Sequence, residues 1–384
     1  MNRRRLDNII FLVDFGGGDP SEFARVLVSE HRLPIYYGYT FSCAAVSWLK
    51  ASSKEAETRK QYEADAWEHL KLNDLVASSS SSVVGLLGLA AGEGLGEIEL
   101  LRKIFREGYT VHYLAIDLSP VLLMAHIETI REVFDQELKE GRLLCAGVLG
   151  DVFIDLDKSL AMARAEFKRR GVISDKKEFI SNDSLLLITY FGNCLGNNTA
   201  DCEKQIFSIL SKTFTSHHSP LVMIIGVSVM RSEPDYYSPS FAAFLLEVPQ
   251  YLLKDLKILH SNRPDLSTSP GEFVIQVDKG HCERLSPVIP KSYRSDGIEG
   301  QIYDFKYNLA FDLEMPSSGL TVPANTTISL YAVTKFKPET LARSLEDDKF
   351  AVIYDPNYHK RIDTEFGVRE YAVFIAVFPG NEFI

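Results

Sequence analysis

Three glycines on alternate positions, Gly92, Gly94 and Gly96, follow the apolar run Val83–Leu89 and precede the periodic segment Ile98–Phe105. A buried strand, a tight turn and a helix in that order let a ligand approach the backbone closely. An acid, Asp117, closes the next strand roughly twenty residues later, where a carboxylate can accept both hydroxyls of a ribose. Gly150-Asp151-Val152 stands after a third strand. An aspartate there can accept an adenine amino group while the adjacent backbone donates to a ring nitrogen, and it is equally good helix-capping chemistry. After a fourth strand comes Phe191-Gly-Asn-Cys-Leu-Gly-Asn-Asn-Thr199. Asparagine carries donors and an acceptor without net charge, so it can orient a carboxylate or an amine; asparagine and glycine are also favoured turn residues.

The glycine spacing is G-x-G-x-G, whereas a dinucleotide site wants G-x-G-x-x-G. The third glycine of that motif is replaced by Glu97, whose charge opposes a phosphate at the start of a helix. The loop therefore suits a ligand without phosphates, and counts against a nicotinamide-dependent oxidoreductase. S-adenosylmethionine is such a ligand, with its sulfonium, zwitterionic amino acid and adenosine. A glycine-rich turn that binds nothing is the plain alternative. Tyr36, Tyr37 and Tyr39 either line a pocket, where aromatic faces attract a sulfonium, or pack as a cap on the core. His217-His218 sits in a polar loop and reads as solvated, and Lys168-Arg169-Arg170 as the cationic end of a helix. His281-Cys282-Glu283 lacks a matching ligand pair, so no metal site is expected. Neither a G-x-S-x-G elbow nor a P-loop is present.

The elements that must position these residues alternate strand with helix. Val83–Leu89, Val111–Ile116, Leu143–Leu149, Leu185–Tyr190 and Leu221–Val227 read as buried parallel strands. Ser119 caps a helix with Pro120 at its first position, running to about Glu140 and stopped by Gly141. A further helix covers roughly Leu156–Arg170, ended by Gly171, and another Asp201–Phe214. Upstream, Glu22–Val28 and Cys43–Leu70 look helical; Ser78–Ser82 is a loop before the first core strand. After Val229 the rhythm changes: Phe241–Ile258 is helical, and Phe273–Val277, Ile302–Phe311 and Thr327–Lys335 alternate like antiparallel strands. Pro338–Glu346 reads as a helix, Phe350–Tyr354 and Tyr371–Phe378 as strands. The expected fold is α/β: a Rossmann-like core over 79–229 and 337–384, an N-terminal helical cap over 1–78 and an inserted α+β lobe over 230–336.

The whole chain sets outer limits. A net charge of −11 over 384 residues argues against nucleic-acid partners, which need a basic face. The MNRRR start resembles a signal n-region, but Ile9–Val13 is too short for the apolar part and Asp14 follows at once. No apolar stretch is long enough to span a bilayer, so no membrane partner is expected. The 5 cysteines are scattered without C-x-x-C spacing and read as reduced thiols of a cytoplasmic protein.

Several segments together resemble the histidine-specific methyltransferase family. These are Arg32-Leu-Pro-Ile-Tyr-Tyr37 (family R-L-P-x-Y-Y), the Gly88–Leu101 loop and helix, Ala115-Ile-Asp117, Gly150-Asp151, Phe191–Asn197 (family F-x-G-S-x-I-G-N) and Lys335-Phe-Lys-Pro-Glu339 (family K-[FY]-x-x-E). The resemblance runs from about Arg32 to the C-terminus and is weakest in the inserted lobe. It implies an S-adenosylmethionine-dependent methyltransferase core. The Ala90–Gly92 loop would hold the methionine part, Asp117 the ribose, and Asp151 with Val152 the adenine, with Gly88 and Gly150 also among the cofactor-binding residues. Tyr36, Gly192 and Asn197 would face an amino-acid substrate, Asn197 gripping its α-amino and carboxylate end, with Tyr331 and Val333 contributed by the lobe. Two departures stand out. Gly88 occupies the place of an acid before the loop, and Ala90 that of the loop's first glycine. Tyr331 and Val333 stand where the family has the Glu and Ser that bind imidazole. The expected substrate is therefore a small-molecule amine other than histidine, with no residue assigned as a catalytic base. A noncatalytic S-adenosylmethionine-binding protein on the same scaffold is the alternative.

Overall fold

The computed structural model describes residues 8–13, 20–31, 45–46, 49, 70–79, 81–152, 156–174, 178–191, 209–210, 212–214, 217–229, 236–237, 273–281, 299–309, 312–315, 318–347, 350–353, 360–364 and 367–378. Tyr36, Gly192, Asn197, the expected helix over 241–258 and most of those over 43–70 and 201–214 lie outside the described residues.

Six strands run parallel: β1 (Ile9–Val13), β2 (Val83–Leu89), β3 (Thr110–Asp117), β4 (Leu143–Leu149), β5 (Leu186–Tyr190) and β6 (Leu221–Val229). Their spatial order is β1-β4-β3-β2-β5-β6. The described helices are α1 (Pro20–Glu30), α2 (Leu72–Ala77), α3 (Leu95–Arg106), α4 (Pro120–Val133), α5 (Asp135–Glu140), α6 (Leu156–Arg169) and α7 (Pro338–Asp347). Successive strand residues feed opposite cores. Val84, Leu86, Val111, Tyr113 and Ala115 pack with α2, α3, α4 and α5, whereas Leu87, Leu89, Leu114 and Ile116 pack with α6 and α7. Burial on both faces explains why these strands are unbroken apolar runs rather than alternating ones. The chain is thus α/β with a Rossmann-like core and added elements.

The N-terminal segment, read as a helical cap, also supplies a strand. β1 extends the core sheet beside β4, and Cys145 N–H donates to the Asn8 carbonyl at 2.9 Å. Asn8 Nδ2 donates to the Leu138 carbonyl at 2.8 Å and Arg170 to the Ile9 carbonyl at 3.1 Å. The sequence IIFLV is a short run of β-formers, long enough to add a strand at the sheet's edge. The expected helix from Pro120 to Glu140 is two helices. Phe134 breaks it with φ −112° and turns into the core, 3% exposed, its ring 5.4 Å from that of Phe105. Gly141 ends α5 in the left-handed region, as its position suggested.

The rest of the chain adds β7 (Tyr236–Tyr237), β8 (Phe273–His281), β9 (Glu299–Asn308), β10 (Leu313–Met315), β11 (Leu320–Val322), β12 (Thr327–Phe336), β13 (Ala351–Ile353), β14 (Lys360–Thr364) and β15 (Gly367–Phe378). The three strands expected to be antiparallel are so: β9 lies between β8 and β12. This meander meets the core at the carboxyl end of β6, where Phe336 pairs with Val229. α1 lies against β11, and Ser329 N–H reaches the His31 carbonyl at 2.9 Å. β15 returns antiparallel along all of β6, from Glu370 opposite Val229 to Phe378 opposite Leu221, with β13 on its far side.

A glycine makes that last pairing possible. A Cβ on Gly226 would lie 1.8 Å from Tyr371 Oη and 2.9 Å from Phe191 Cδ1. Gly226→Ala is therefore expected to lower unfolding stability by about 1–3 kcal/mol, the usual cost of overpacking. Tyr371→Phe in the same background recovers part of it. Urea denaturation measures both, and an unshifted midpoint in Gly226→Ala would contradict the seating of β15.

Candidate functional site

The strand order reverses between β2 and β5. From β2 the chain moves outward through β3 to β4, then returns to place β5 on the other side of β2. In open α/β sheets the carboxyl ends of strands part at such a point and form a crevice. The glycine loop leaves β2 on one side, and the chain after Tyr190 leaves β5 on the other.

The loop is held in unusual backbone conformations. Ala90, Gly92 and Gly94 have φ of +48°, +54° and +68°. Ala90 is the costly one, since a β-carbon disfavours the left-handed region by roughly 1–2 kcal/mol. What holds it is the next residue, whose N–H bonds the Ile116 carbonyl at 3.1 Å and draws the loop across to β3. Gly94 caps α3 and abuts His126: a Cβ there would fall 2.0 Å from the imidazole Cε1. Gly92 differs, because among the described residues a Cβ there would meet nothing nearer than the Ala90 carbonyl at 4.0 Å. The loop is open at Gly92 and closed at Gly94.

Asp117 ties the crevice together. Its Oδ2 accepts the Gly92 N–H at 2.7 Å and its Oδ1 the Ser119 N–H at 2.7 Å. Its carbonyl accepts the Gly150 N–H at 3.0 Å. The ends of β2, β3 and β4 and the start of α4 thus meet at one residue, which is 6% exposed. Burial pushes the carboxyl up to about 6, while the hydrogen bonds from Ser119 and Gly92 pull the other way. Each carboxylate oxygen keeps a lone pair beyond the one already engaged, so two hydroxyls can still be received.

A second polar group lies under the loop. Glu97, in the first turn of α3, is 2% exposed and accepts from the Thr189 hydroxyl at 2.8 Å. Thr189 is the cross-strand neighbour of Gly88. A Cβ on Gly88 would stand 2.8 Å from Tyr113 Oη, so this strand position has no room for a side chain. Tyr113 Oη contacts His126 Nε2 at 3.1 Å, and both rings are fully buried. Burial first, then the charge of Glu97, holds the Tyr113 phenol well above its ordinary range. Burial holds the His126 imidazole down at about 4.

The residues named from sequence fall as follows. Gly88, Ala90, Gly92, Asp117, Gly150, Asp151 and Val152 are gathered at the carboxyl ends of β2, β3 and β4. Val152 packs into the core beneath α6, 5% exposed. The backbones of Tyr331 and Val333 lie in β12 opposite Phe305 and Tyr303. Thr189, Tyr113 and His126 were missed. The signal available was His126 on the apolar stripe Leu122, Leu123, Ile127 and Ile130 of α4, a polar residue where the periodicity asks for an apolar one. His217 is corrected: it is 4% exposed, its backbone N–H bonded to the Phe214 carbonyl at 2.9 Å and its ring edge-on to that of Phe214 at 6.0 Å, whereas His218 is exposed. Cys145 is a free buried thiol whose ionisation burial suppresses, so it is no nucleophile. Among the described residues no group of His, Cys, Asp and Glu could hold a metal ion, and no helix is long and apolar enough to cross a membrane.

No protein-family model and no curated protein matches the sequence. Among solved structures, the chain is similar to the CcbJ methyltransferase from Streptomyces caelestis at 10% identity, with 85% of this chain and 90% of that one covered and a TM-score of 0.32. A SAM-dependent methyltransferase from Methanosarcina mazei is similar at 13% identity, 80% and 94% coverage and a TM-score of 0.34. The plantazolicin methyltransferase BpumL, in complex with SAH, is similar at 9% identity, 71% and 88% coverage and a TM-score of 0.29. Likeness at this level leaves the reading of the site to its own residues.

The two buried titrations oppose each other. Asp117 rises from 3.8 to about 6, so between those values the folded protein binds the extra proton and this contribution falls as pH rises. His126 drops from 6.5 to about 4, so there the unfolded chain binds the extra proton and this contribution grows as pH rises. Asp117→Asn removes the first alone. Its stability is expected to climb relative to wild type by about 3 kcal/mol between acid and neutral pH. Denaturant titrations at a series of pH values check this; parallel curves for the two proteins would contradict it.

Proposed function

We propose that this protein is an S-adenosylmethionine-dependent methyltransferase acting on the amine of an amino acid or a related small molecule other than histidine. The observation that carries the proposal is the Asp117 carboxylate anchored beside an open Gly92 at the switch point of the sheet. A carboxylate so placed suits the two hydroxyls of a ribose, and the absence of a side chain at Gly92 suits the extended aminoacyl arm of the same nucleoside. The residues present thus fit the cofactor's chemistry. Bound there, it supplies an electrophilic methyl on a sulfonium for in-line attack by a neutral amine.

The chain's residues bind and align. Asp117 holds the ribose, and Asp151 with the Val152 backbone recognises the adenine. Ala90 to Gly92 leave space for the methionine part. Tyr36, Gly192 and Asn197 orient the substrate, Asn197 through its α-amino and carboxylate end. Transfer disperses charge from sulfonium to ammonium, so alignment and exclusion of water do most of the work and no strong general base is required. Tyr331 and Val333, standing where an acid and a hydroxyl would grip imidazole, favour a larger or more apolar side group. The buried thiol of Cys145 suits a reducing, cytoplasmic setting.

Calorimetric titration with S-adenosylhomocysteine is expected to show binding at pH 7.5 and about tenfold weaker binding at pH 5, where Asp117 is mostly protonated. Incubation with methyl-labelled S-adenosylmethionine and a panel of amino acids is expected to yield a labelled N-methyl product by mass spectrometry. Failure to bind the nucleoside would overturn the proposal. Binding without product from any amine would favour a noncatalytic role on the same scaffold.

A further inference from the structure

The geometry points to Glu97 as the residue that sets the charge class of the ligand, selecting a cationic, aminoacyl-bearing nucleoside over a phosphorylated one. This rests on the methyltransferase reading of the same site and adds to it a specificity determinant that lies on a helix rather than on a strand.

Strand β2 cannot carry an acid at its carboxyl end. A Cβ on Gly88 already stands 2.8 Å from Tyr113 Oη and 3.3 Å from Ala91 Cβ. The carboxylate on this face comes from α3 instead. Glu97 reaches the Thr189 hydroxyl, and Thr189 is paired across the sheet with Gly88 itself. The negative charge is thereby brought over the strand position that has no side chain of its own.

Its place in α3 matters as much as its depth. A helix start carries about half a positive charge and ordinarily makes a ready phosphate site. Here the N-cap is Gly94, without a side-chain cap, and the Glu97 carboxyl follows within the first turn. Because the group is 2% exposed, solvent screens it little. Asp117 adds a second buried carboxylate on the other side of the loop. With Glu97 and Asp117 both ionised, a pyrophosphate entering this loop meets two negative charges, and a sulfonium or ammonium meets two attractive ones.

The test compares S-adenosylhomocysteine with ADP, each titrated calorimetrically at pH 7.5 into wild type and Glu97→Gln. Glutamine keeps the shape and can still accept from Thr189. Glu97→Gln is expected to weaken S-adenosylhomocysteine and strengthen ADP, shifting the ratio of their dissociation constants by about tenfold or more. Thr189→Val, which retains the carboxylate but withdraws its hydroxyl partner, shifts the ratio the same way by a smaller factor, and decides the matter if Glu97→Gln does not fold by circular dichroism. Wild type that binds S-adenosylhomocysteine, with an unchanged ratio in the folded variants, overturns the role of Glu97 and leaves the methyltransferase reading intact. Wild type that ignores S-adenosylhomocysteine overturns that underlying reading.

Discussion

One buried carboxylate organises the carboxyl edge of this sheet. Asp117 receives backbone N–H groups from the glycine loop and from the start of α4, while its own carbonyl receives that of Gly150. Three strand ends and a helix start are therefore fixed by one residue. The price is a desolvated acid, only partly compensated by the hydrogen bonds it receives. An apolar side chain in its place would leave the Gly92 and Ser119 N–H groups without this acceptor.

The architecture of the core was readable because its signals are local and redundant. Val83–Leu89 and Leu143–Leu149 match the sequence reading end to end, and Gly141 and Gly171 stand just past helices in left-handed conformation. Ser119 accepts the Leu122 N–H as a capping serine should. Where the reading fell short, the deciding contact was distant in sequence. Nothing near Ile9–Val13 says that it will pair with Cys145–Leu149, and nothing near Phe134 says that its ring will find Phe105. Periodicity reports which face is apolar; it does not report which partner will cover it.

The same division runs through the site. Asp117 and the glycines could be picked out because strand–turn–helix chemistry is written in consecutive residues. Glu97 was visible only as a charge against phosphate; that it turns inward to Thr189 depends on β5 lying next to β2, a matter of topology. Tyr113 and His126 meet from β3 and α4, the phenol filling the space left by Gly88 and the imidazole that left by Gly94. Their identities follow from the shape of the loop above them. His217 shows the converse, a residue in a polar stretch that is buried against Phe214.

The reversed strand β15 has a consequence for how the chain is made. It covers the whole length of β6, yet it is translated far later than the parallel strands it completes. Until it emerges from the ribosome, β6 offers an unpaired, largely apolar edge, the kind of surface that invites pairing with another chain. Nascent protein must therefore pass through a stage in which most of its sheet is assembled and one flank is open. Chaperone dependence and aggregation during synthesis would concentrate in that interval, and end when Gly367–Phe378 docks.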